Sequence, residues 1–256
     1  MEFSKDIEKY FEGFRSDLNK AYKVAEAAKK KNYDPNDYVE VPMVENMAER
    51  VEGLISVVAP QVRNSGISKR IKQLEEQYGS LNWRVALTIG LEVAQERFCK
   101  FDDHKQAIEI GIRTGFAYLT MGIVASPLEG FVELQIRKRK DDGREYFALS
   151  YAGPIRSAGG TGASVSVLLA DYIRKNLGYA EYDPTEEEAK RYVTELYDYH
   201  DRITNLQYLP SEEEIEFLGK HLPVQIDGDG SEKIEVSNYK DLDRVETNRI
   251  RNGVCL

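Results

Sequence analysis

The chain has 256 residues, of which 41% are hydrophobic and 31% charged, and its formal net charge is −9. These values predict a globular protein with a substantial core in one or two domains, and they argue against a whole-surface grip on nucleic acid. No apolar run approaches the roughly 18 residues of a membrane span, so no membrane partner is expected. The start of the chain lacks the apolar core of a signal peptide. Cys99 and Cys255 give neither a disulfide framework nor zinc spacing, which favours a reducing, cytoplasmic setting.

Four helices are predicted in the first hundred residues. Ser4 caps the first, which has an apolar face and a basic carboxyl end. A turn at 34–37, rich in Asp, Asn and Pro, separates it from the second. The third helix is expected from Ser68 and the fourth from Ser80, both with apolar residues at helical spacing. This part of the chain is therefore predicted to be a helical bundle.

A fifth, long apolar helix follows an aspartate cap at 102 or 103 and is predicted to reach Ile123. Gly111, Gly115 and Gly122 lie within it. Each glycine costs about 1 kcal/mol relative to alanine in a helix interior. Close packing against another helix or strand is the expected reason for keeping them.

The apolar period changes from helical to two after Ser126-Pro127. Residues 131–139 and 146–151 are predicted to be two strands of a hairpin, joined by an Asp-Asp-Gly turn. A second hairpin is expected to pair 224–226 with 234–236 through an Asp-Gly-Asp-Gly tip. The sheet is therefore predicted to be built from antiparallel hairpins.

Two Ser/Thr-x-x-Glu capping boxes, at 185–188 and 211–214, start further helices. The fold class that follows is α+β, with a helical amino-terminal bundle followed by an antiparallel β-hairpin sheet packed with helices. We expect a helical domain over 1–100 and an α+β domain over 101–256. The apolar run that begins at the end of the chain suggests a piece of a longer protein.

Residues 151–162, Tyr-Ala-Gly-Pro-Ile-Arg-Ser-Ala-Gly-Gly-Thr-Gly, are the most distinctive stretch. They join the end of a strand to a helix that is predicted over 163–177, with Gly178 as its carboxyl cap. Unpaired N–H groups and the positive helix end can bind an anion such as a phosphate there, and Arg156 could add a bidentate donor. The alternative is structural, because glycines also let a helix pack close to a strand or adopt a positive φ.

The candidate phosphate-binding residues come from this stretch and from the basic run before it. They are Arg156, Ser157, Gly159, Gly160, Thr161 and Gly162, with Arg137, Lys138 and Arg139. The basic run can also be explained as a solvated hairpin tip. The glycine spacing is not that of a standard nucleotide-binding loop, although Gly159 to Gly162 has the Gly-x-x-Gly form that clamps a nucleic-acid backbone in KH domains.

No catalytic or metal-binding residue is predicted. Asp227 and Asp229 could hold magnesium, but glycine on both sides of them is typical of a hairpin tip, and no third carboxylate has a useful spacing. His200, between Tyr199 and Asp201, could transfer a proton, yet no nucleophile pairs with it in sequence. A histidine satisfied at a helix surface is the simpler interpretation.

The stretch 151–161 resembles the signature of the large subunit of archaeal family D DNA polymerase, near the amino terminus of that subunit. Companion blocks agree in the same order along the chain, at 47–52, 126–130, 206–208, 236–237 and 245–248. The resemblance therefore covers essentially the whole sequence, which makes it far more specific than any single motif.

The resemblance implies a replicative DNA polymerase whose partners are a small subunit that is a metal-dependent 3′–5′ exonuclease, the remainder of the large subunit, and DNA primer–template. It implies magnesium and zinc for the full-length polymerase and no cofactor for these residues, because the family's catalytic carboxylates and zinc cysteines lie further along. It also invites comparison with a KH-like module. A KH loop joins two helices, however, whereas this glycine turn follows a strand.

We expect these 256 residues to be inactive alone, to brace the holoenzyme, and to contact the primer–template backbone through the glycine-rich stretch. Two other classes stay open. One is a scaffold or oligomerisation domain without a ligand. The other is a nucleotide-binding enzyme, which would bind a nucleoside triphosphate saturably.

Overall fold

The computed structural model describes residues 4–33, 44 and 46–256. The chain divides into two compact units, 1–43 and 44–256. In the described residues the helices are α1 Lys5–Lys30, α2 Met47–Ile55, α3 Ile67–Tyr78, α4 Trp83–Ala94, α5 His104–Leu119, α6 Gly159–Leu177, α7 Glu186–Arg202, α8 Glu212–Lys220 and α9 Asn252–Cys255. The strands are β1 Phe131–Lys138, β2 Glu145–Tyr151 and β3 Gln225–Asp227. The α+β class is confirmed.

The described part of the first unit is α1. The Ser4 side chain accepts a hydrogen bond from the Ile7 N–H, as predicted, and basic residues lie in the last turn. No residue of α1 is buried, and the rings of Tyr10 and Phe14 are 67% and 55% exposed. The turn predicted at 34–37 lies outside the described residues.

Helices α2 to α5 open the second unit, and one of their predicted starts is wrong. The third helix is confirmed as α3, which contains Ser68 and follows Gly66 in the left-handed region at φ 97°; the Ser68 N–H donates to the carboxylate of Glu52. Ser80 precedes the true cap of α4, Asn82, whose side chain accepts the Arg84 N–H. The fourth helix therefore begins after the Asn82 cap and not at the Ser80 hydroxyl.

Helix α5 begins at the predicted cap, since the Asp103 side chain accepts the Gln106 N–H at 2.7 Å. It ends at Leu119, so Ile123 lies beyond it and the predicted end is wrong. Gly122 also lies beyond the helix, at φ 74°, where its lack of a Cβ permits the left-handed turn. The two capping boxes that start α7 and α8 are both confirmed.

Glycines let three helices of the second unit cross closely. A Cβ placed on Gly111 of α5 would lie 2.5 Å from the Gly90 carbonyl oxygen of α4. A Cβ on Gly115 would lie 2.8 Å from the Ala86 oxygen of α4 and 2.7 Å from a methyl of Leu169 on α6. The packing role predicted for Gly111 and Gly115 is therefore confirmed.

The sheet has the order β1-β2-β3. Strands β1 and β2 form the predicted antiparallel hairpin, whereas β3 pairs with β2 in parallel. The second predicted hairpin is wrong, because residues around Glu235 pair instead with residues around Arg249. The Asp-Gly sequence that suggested a hairpin tip serves another purpose, since Gly228 brings its backbone against the end of β2.

One hydrophobic core joins the helices to the sheet in the second unit. It includes Ile71, Ile89, Phe116, Leu149 and Leu169, so it draws on residues from both sides of residue 100. The domain boundary expected there stays a prediction. In the described parts of the chain, no helix is long and apolar enough to cross a membrane.

The glycine crossing gives a stability test. Gly111→Ala would normally gain helix propensity, but its methyl group meets backbone, so we expect a loss of about 1–3 kcal/mol from overpacking. Gly53→Ala in α2 is the matched control, because its Cβ would touch only a Val44 methyl at 3.8 Å. Thermal unfolding should show a lower midpoint for Gly111→Ala and an equal or higher one for Gly53→Ala. A Gly111→Ala protein as stable as the Gly53→Ala control would contradict the crossing.

Candidate functional site

The glycine-rich stretch follows the end of β2 at Tyr151. A 3₁₀ turn, Gly153–Ala158, leads into α6, which begins at Gly159 rather than near residue 163 as predicted. Gly159 to Gly162 are therefore the first helical turn and not a loop before it. Gly159 has φ 68°, which favours glycine where the turn enters the helix. The predicted carboxyl cap, Gly178, is confirmed at φ 81°.

Backbone crowding holds the end of β2 in place. A Cβ on Gly228 or on Gly253 would lie 2.4 Å from the Tyr151 carbonyl oxygen, so both segments can approach only as glycine. The Tyr151 hydroxyl lies 2.7 Å from the Ser166 hydroxyl of α6. Burial raises the pKa of this phenol well above its usual value. Tyr151 thus connects the end of β2 to the middle of α6.

The π turn at Ser126–Gly130 packs against the 3₁₀ turn. A Cβ on Gly130 would lie 2.6 Å from the Ile155 Cα, and the Ala152 N–H donates to the Gly130 oxygen at 2.9 Å. The Ser157 hydroxyl lies 2.7 Å from the Ser126 hydroxyl and donates to the Pro154 oxygen at 2.9 Å. The Ser157 hydroxyl is therefore already used in hydrogen bonds within these turns.

The start of α6 is open to solvent. No described side chain caps it, and a Cβ on Gly159 or Gly160 would meet nothing within 4 Å. Arg156 and Thr161 are exposed. The Arg156 side chain makes no hydrogen bond or ion pair within 4–33, 44 and 46–256, while its backbone carbonyl accepts the Gly159 N–H. Its guanidinium and the positive end of α6 are therefore both available to an anion.

The basic run is largely occupied within the fold. Arg137 donates to Asp227 at 2.8 Å and to Glu246 at 2.9 Å, and its side chain is 15% exposed. Arg139 is equally covered and pairs with Asp141. The Lys138 side chain is exposed and has no hydrogen bond or ion pair in the described part of the chain. The nine candidate residues therefore do not form a single surface of unpaired positive charges.

A buried network of charges joins α7, β3 and the end of the chain. Arg251 is 1% exposed, donates to the Glu195 carboxylate at 2.5 Å and donates to Asp227 at 2.6 Å. Burial would lower the pKa of Arg251, but the Glu195 and Asp227 carboxylates outweigh it and hold that pKa above its usual value. Because both carboxylate oxygens of Asp227 accept arginine donors, this residue does not fit a magnesium ligand.

A second buried cluster lies at the other end of α7. Arg244 donates to the Glu188 carboxylate at 2.6 Å and also pairs with Asp183. Burial would raise the pKa of Glu188, but the Arg244 and Thr185 donors hold it below its usual value. Sequence reasoning missed both networks. Their only local signal was opposite charge four residues apart in α7, at Arg191 and Glu195, on the face that carries buried residues.

An apolar groove runs along α6 from its first turn. It consists of two adjoining cavities of about 200 and 370 Å³ that share Ser164, Val167, Ile226 and Val254. Gly160 lines one end, and Leu218 of α8, which is 60% exposed, lines the other. One side of the α6 start therefore faces an apolar surface, while Arg156 and the helix end offer positive charge.

In the part of the chain that the structure describes, the histidine considered for proton transfer is already hydrogen-bonded within the fold. His200 accepts a hydrogen bond from the Leu206 N–H at 3.0 Å, as expected for a satisfied surface histidine. Residues 4–33, 44 and 46–256 hold no group of three or more His, Cys, Asp or Glu that could bind one metal ion. What the α6 start offers chemically is an exposed guanidinium at Arg156 beside a helix end without a side-chain cap.

Comparisons with known proteins agree with the resemblance of the glycine-rich stretch. A family described as "DNA polymerase II large subunit DP2, N-terminal" matches residues 9–256. The chain therefore belongs to the amino-terminal region of the DNA polymerase II large subunits.

Three curated relatives carry the name DNA polymerase II large subunit. The protein from Nanoarchaeum equitans is 51% identical over 247 residues, which cover 96% of this chain and 20% of the relative. Those from Methanosarcina barkeri and Thermoplasma acidophilum are 42% and 41% identical, and cover 99% and 98% of this chain. The chain spans about a fifth of the length of these relatives.

The buried network predicts the effect of removing one charge. Glu195→Gln keeps the shape of the side chain but leaves Arg251 with Asp227 alone, so we expect a loss of about 3–5 kcal/mol. Glu187→Gln, on the exposed side of α7, is the matched control and should cost about 1 kcal/mol or less. Urea unfolding measures both. Equal losses for the two variants would show that the network does not stabilise the fold.

Proposed function

We propose that this chain acts as the amino-terminal, non-catalytic region of the large subunit of a replicative DNA polymerase. In this role it braces the enzyme, contacts the small exonuclease subunit and the remainder of the large subunit, and touches the backbone of primer–template DNA. The observation that carries the proposal is the family match over residues 9–256. Location in the cytoplasm is part of the same proposal.

The non-catalytic role is supported by how the carboxylates are used. Template-directed synthesis needs metal ions held by carboxylates, in the manner of two-metal phosphoryl-transfer sites. Asp227, Glu188 and Glu195 are committed to buried arginines instead. We infer that the magnesium and zinc of the complete polymerase are bound by residues in the four-fifths of the relatives that this chain does not match.

The DNA contact is supported by the start of α6. The Arg156 side chain has no hydrogen bond or ion pair in the described residues, and the first helical turn lacks a side-chain cap. Glycine at 159 and 160 leaves open space, so a phosphate could approach the backbone closely. The net charge of −9 confines such contact to a local patch.

A ligand-free scaffold is the second candidate, and the apolar groove favours it. Val167 and Leu218 line this groove, and Leu218 is 60% exposed, an arrangement typical of protein–protein contact. Such a scaffold would bind its polymerase partners and ignore DNA.

The two candidates differ in the salt dependence of DNA binding. If Arg156 contacts a phosphate, Arg156→Ala should weaken binding of a primer–template duplex and reduce the slope of log affinity against log salt by about 1. Arg97→Ala is the matched control, since Arg97 is 57% exposed and lies beyond the carboxyl end of α4. Fluorescence anisotropy between about 50 and 200 mM salt would measure the slopes. A slope that Arg156→Ala leaves unchanged would remove the phosphate contact.

A further inference from the structure

Trp83, the single tryptophan of the sequence, stands exposed at the first position of α4. Its side chain is 55% exposed. The guanidinium of Arg84 lies 5.4 Å from the centre of the indole and 6.0 Å from the centre of the Tyr78 ring. Arg84 makes no ion pair with any described residue, and its guanidinium lies near these neutral aromatic rings.

The backbone around Trp83 is fixed before any partner binds. The Asn82 side chain accepts the Arg84 N–H at 2.9 Å and donates to the Tyr78 oxygen at 2.8 Å. The Leu81 N–H donates to the Tyr118 hydroxyl of α5 at 2.8 Å, with Leu81 in the left-handed region at φ 60°. A ring presented from such a turn loses little freedom on binding, which favours affinity.

Trp83 lies at the same end of the helical layer as the start of α6. Ala86, Gly115 and Leu169 share one level, where α4, α5 and α6 touch. Helices rise about 1.5 Å per residue, so Trp83 lies about 4.5 Å beyond this level and Gly159, where α6 begins, about 15 Å beyond it in the same direction. Gly162 of that start would place a Cβ 3.9 Å from Thr120, just past the end of α5.

The exposed groups at this end combine two kinds of chemistry. Leu81, two residues before Trp83, is 42% exposed and Met121, just past α5, is 55% exposed, while the side chains of Arg84 and Arg156 carry positive charge that the described residues leave unpaired. An aromatic face next to an unpaired arginine, such as Trp83 with Arg84, is complementary to the stacked bases and phosphates of single-stranded nucleic acid. An apolar protein partner would use the leucine and methionine but would leave both arginines without counter-charges.

We propose that Trp83 stacks on a base of single-stranded DNA, with Arg84 contributing positive charge beside it. This inference rests on the proposed function, since it places the single strand of a primer–template next to the duplex phosphate held at Arg156. The stacking site is separate from the phosphate contact, and each can fail without the other.

The single tryptophan provides the test. Titration of the full chain with oligothymidylate of about 20 nucleotides should quench the Trp83 fluorescence to a plateau. Trp83→Ala should weaken binding of this oligonucleotide, followed by anisotropy of a labelled strand, by about fivefold to a hundredfold. Trp83→Phe should restore most of the affinity, and Tyr208→Ala, at an aromatic ring 73% exposed, should change nothing.

Comparison of a blunt duplex with a duplex that carries a single-stranded overhang separates the outcomes. Stacking predicts that the overhang strengthens binding and that Trp83→Ala abolishes only this gain. Binding of duplex and oligothymidylate without quenching, and with wild-type affinity in Trp83→Ala, would overturn the stacking site and leave the proposed function in place. No binding of any DNA would overturn both. Fluorescence that changes with protein concentration alone would assign the face to self-association instead.

Discussion

The carbonyl of Tyr151 is approached by two other backbones, at Gly228 and at Gly253, and the arrangement of the second unit depends on that contact. A side chain at either glycine would need to occupy the position of the carbonyl oxygen. The close approach of these glycines lets β3 pair in parallel with β2 and brings α9 into contact with the 3₁₀ turn that enters α6. The hydroxyl of the same tyrosine lies within hydrogen-bond distance of the Ser166 hydroxyl on α6. The backbone and the side chain of Tyr151 therefore both help to set the direction in which α6 leaves the sheet.

The buried charges carry a related constraint. The segment from residue 228 to the end of the chain has little regular structure, and one short helix ends it. Arginines at 244 and 251 hold it to carboxylates of α7, while Arg191 of α7 donates to carbonyl oxygens of the segment. Each buried charge has a partner of opposite sign, which is the condition under which such groups are tolerated in a core. The carboxylates and arginines in these contacts are used to hold the fold together, although their residue types alone would suggest catalysis or DNA binding.

Sequence patterns predicted the features that depend on neighbours in the chain. The capping boxes before α7 and α8, the β1–β2 hairpin and the Gly178 cap follow from residues within four positions of one another, and all are confirmed. Features that depend on distant partners were wrong or missed. Arg251 lies 56 residues from Glu195, and the pairing of residues near 235 with those near 249 has no local signal. The glycine-rich stretch was placed correctly between strand and helix, but the structure was needed to show that its glycines already belong to the helix.

The central claim is that the start of α6 faces DNA in a polymerase subunit whose chemistry lies in other residues. Hydrogen exchange of the backbone amides, compared with and without a primer–template duplex, tests this most directly. The account predicts slower exchange at residues 153–162 and at 81–84, with no change along α8. Protection confined to α8 and the apolar groove, or no protection at all, would contradict it.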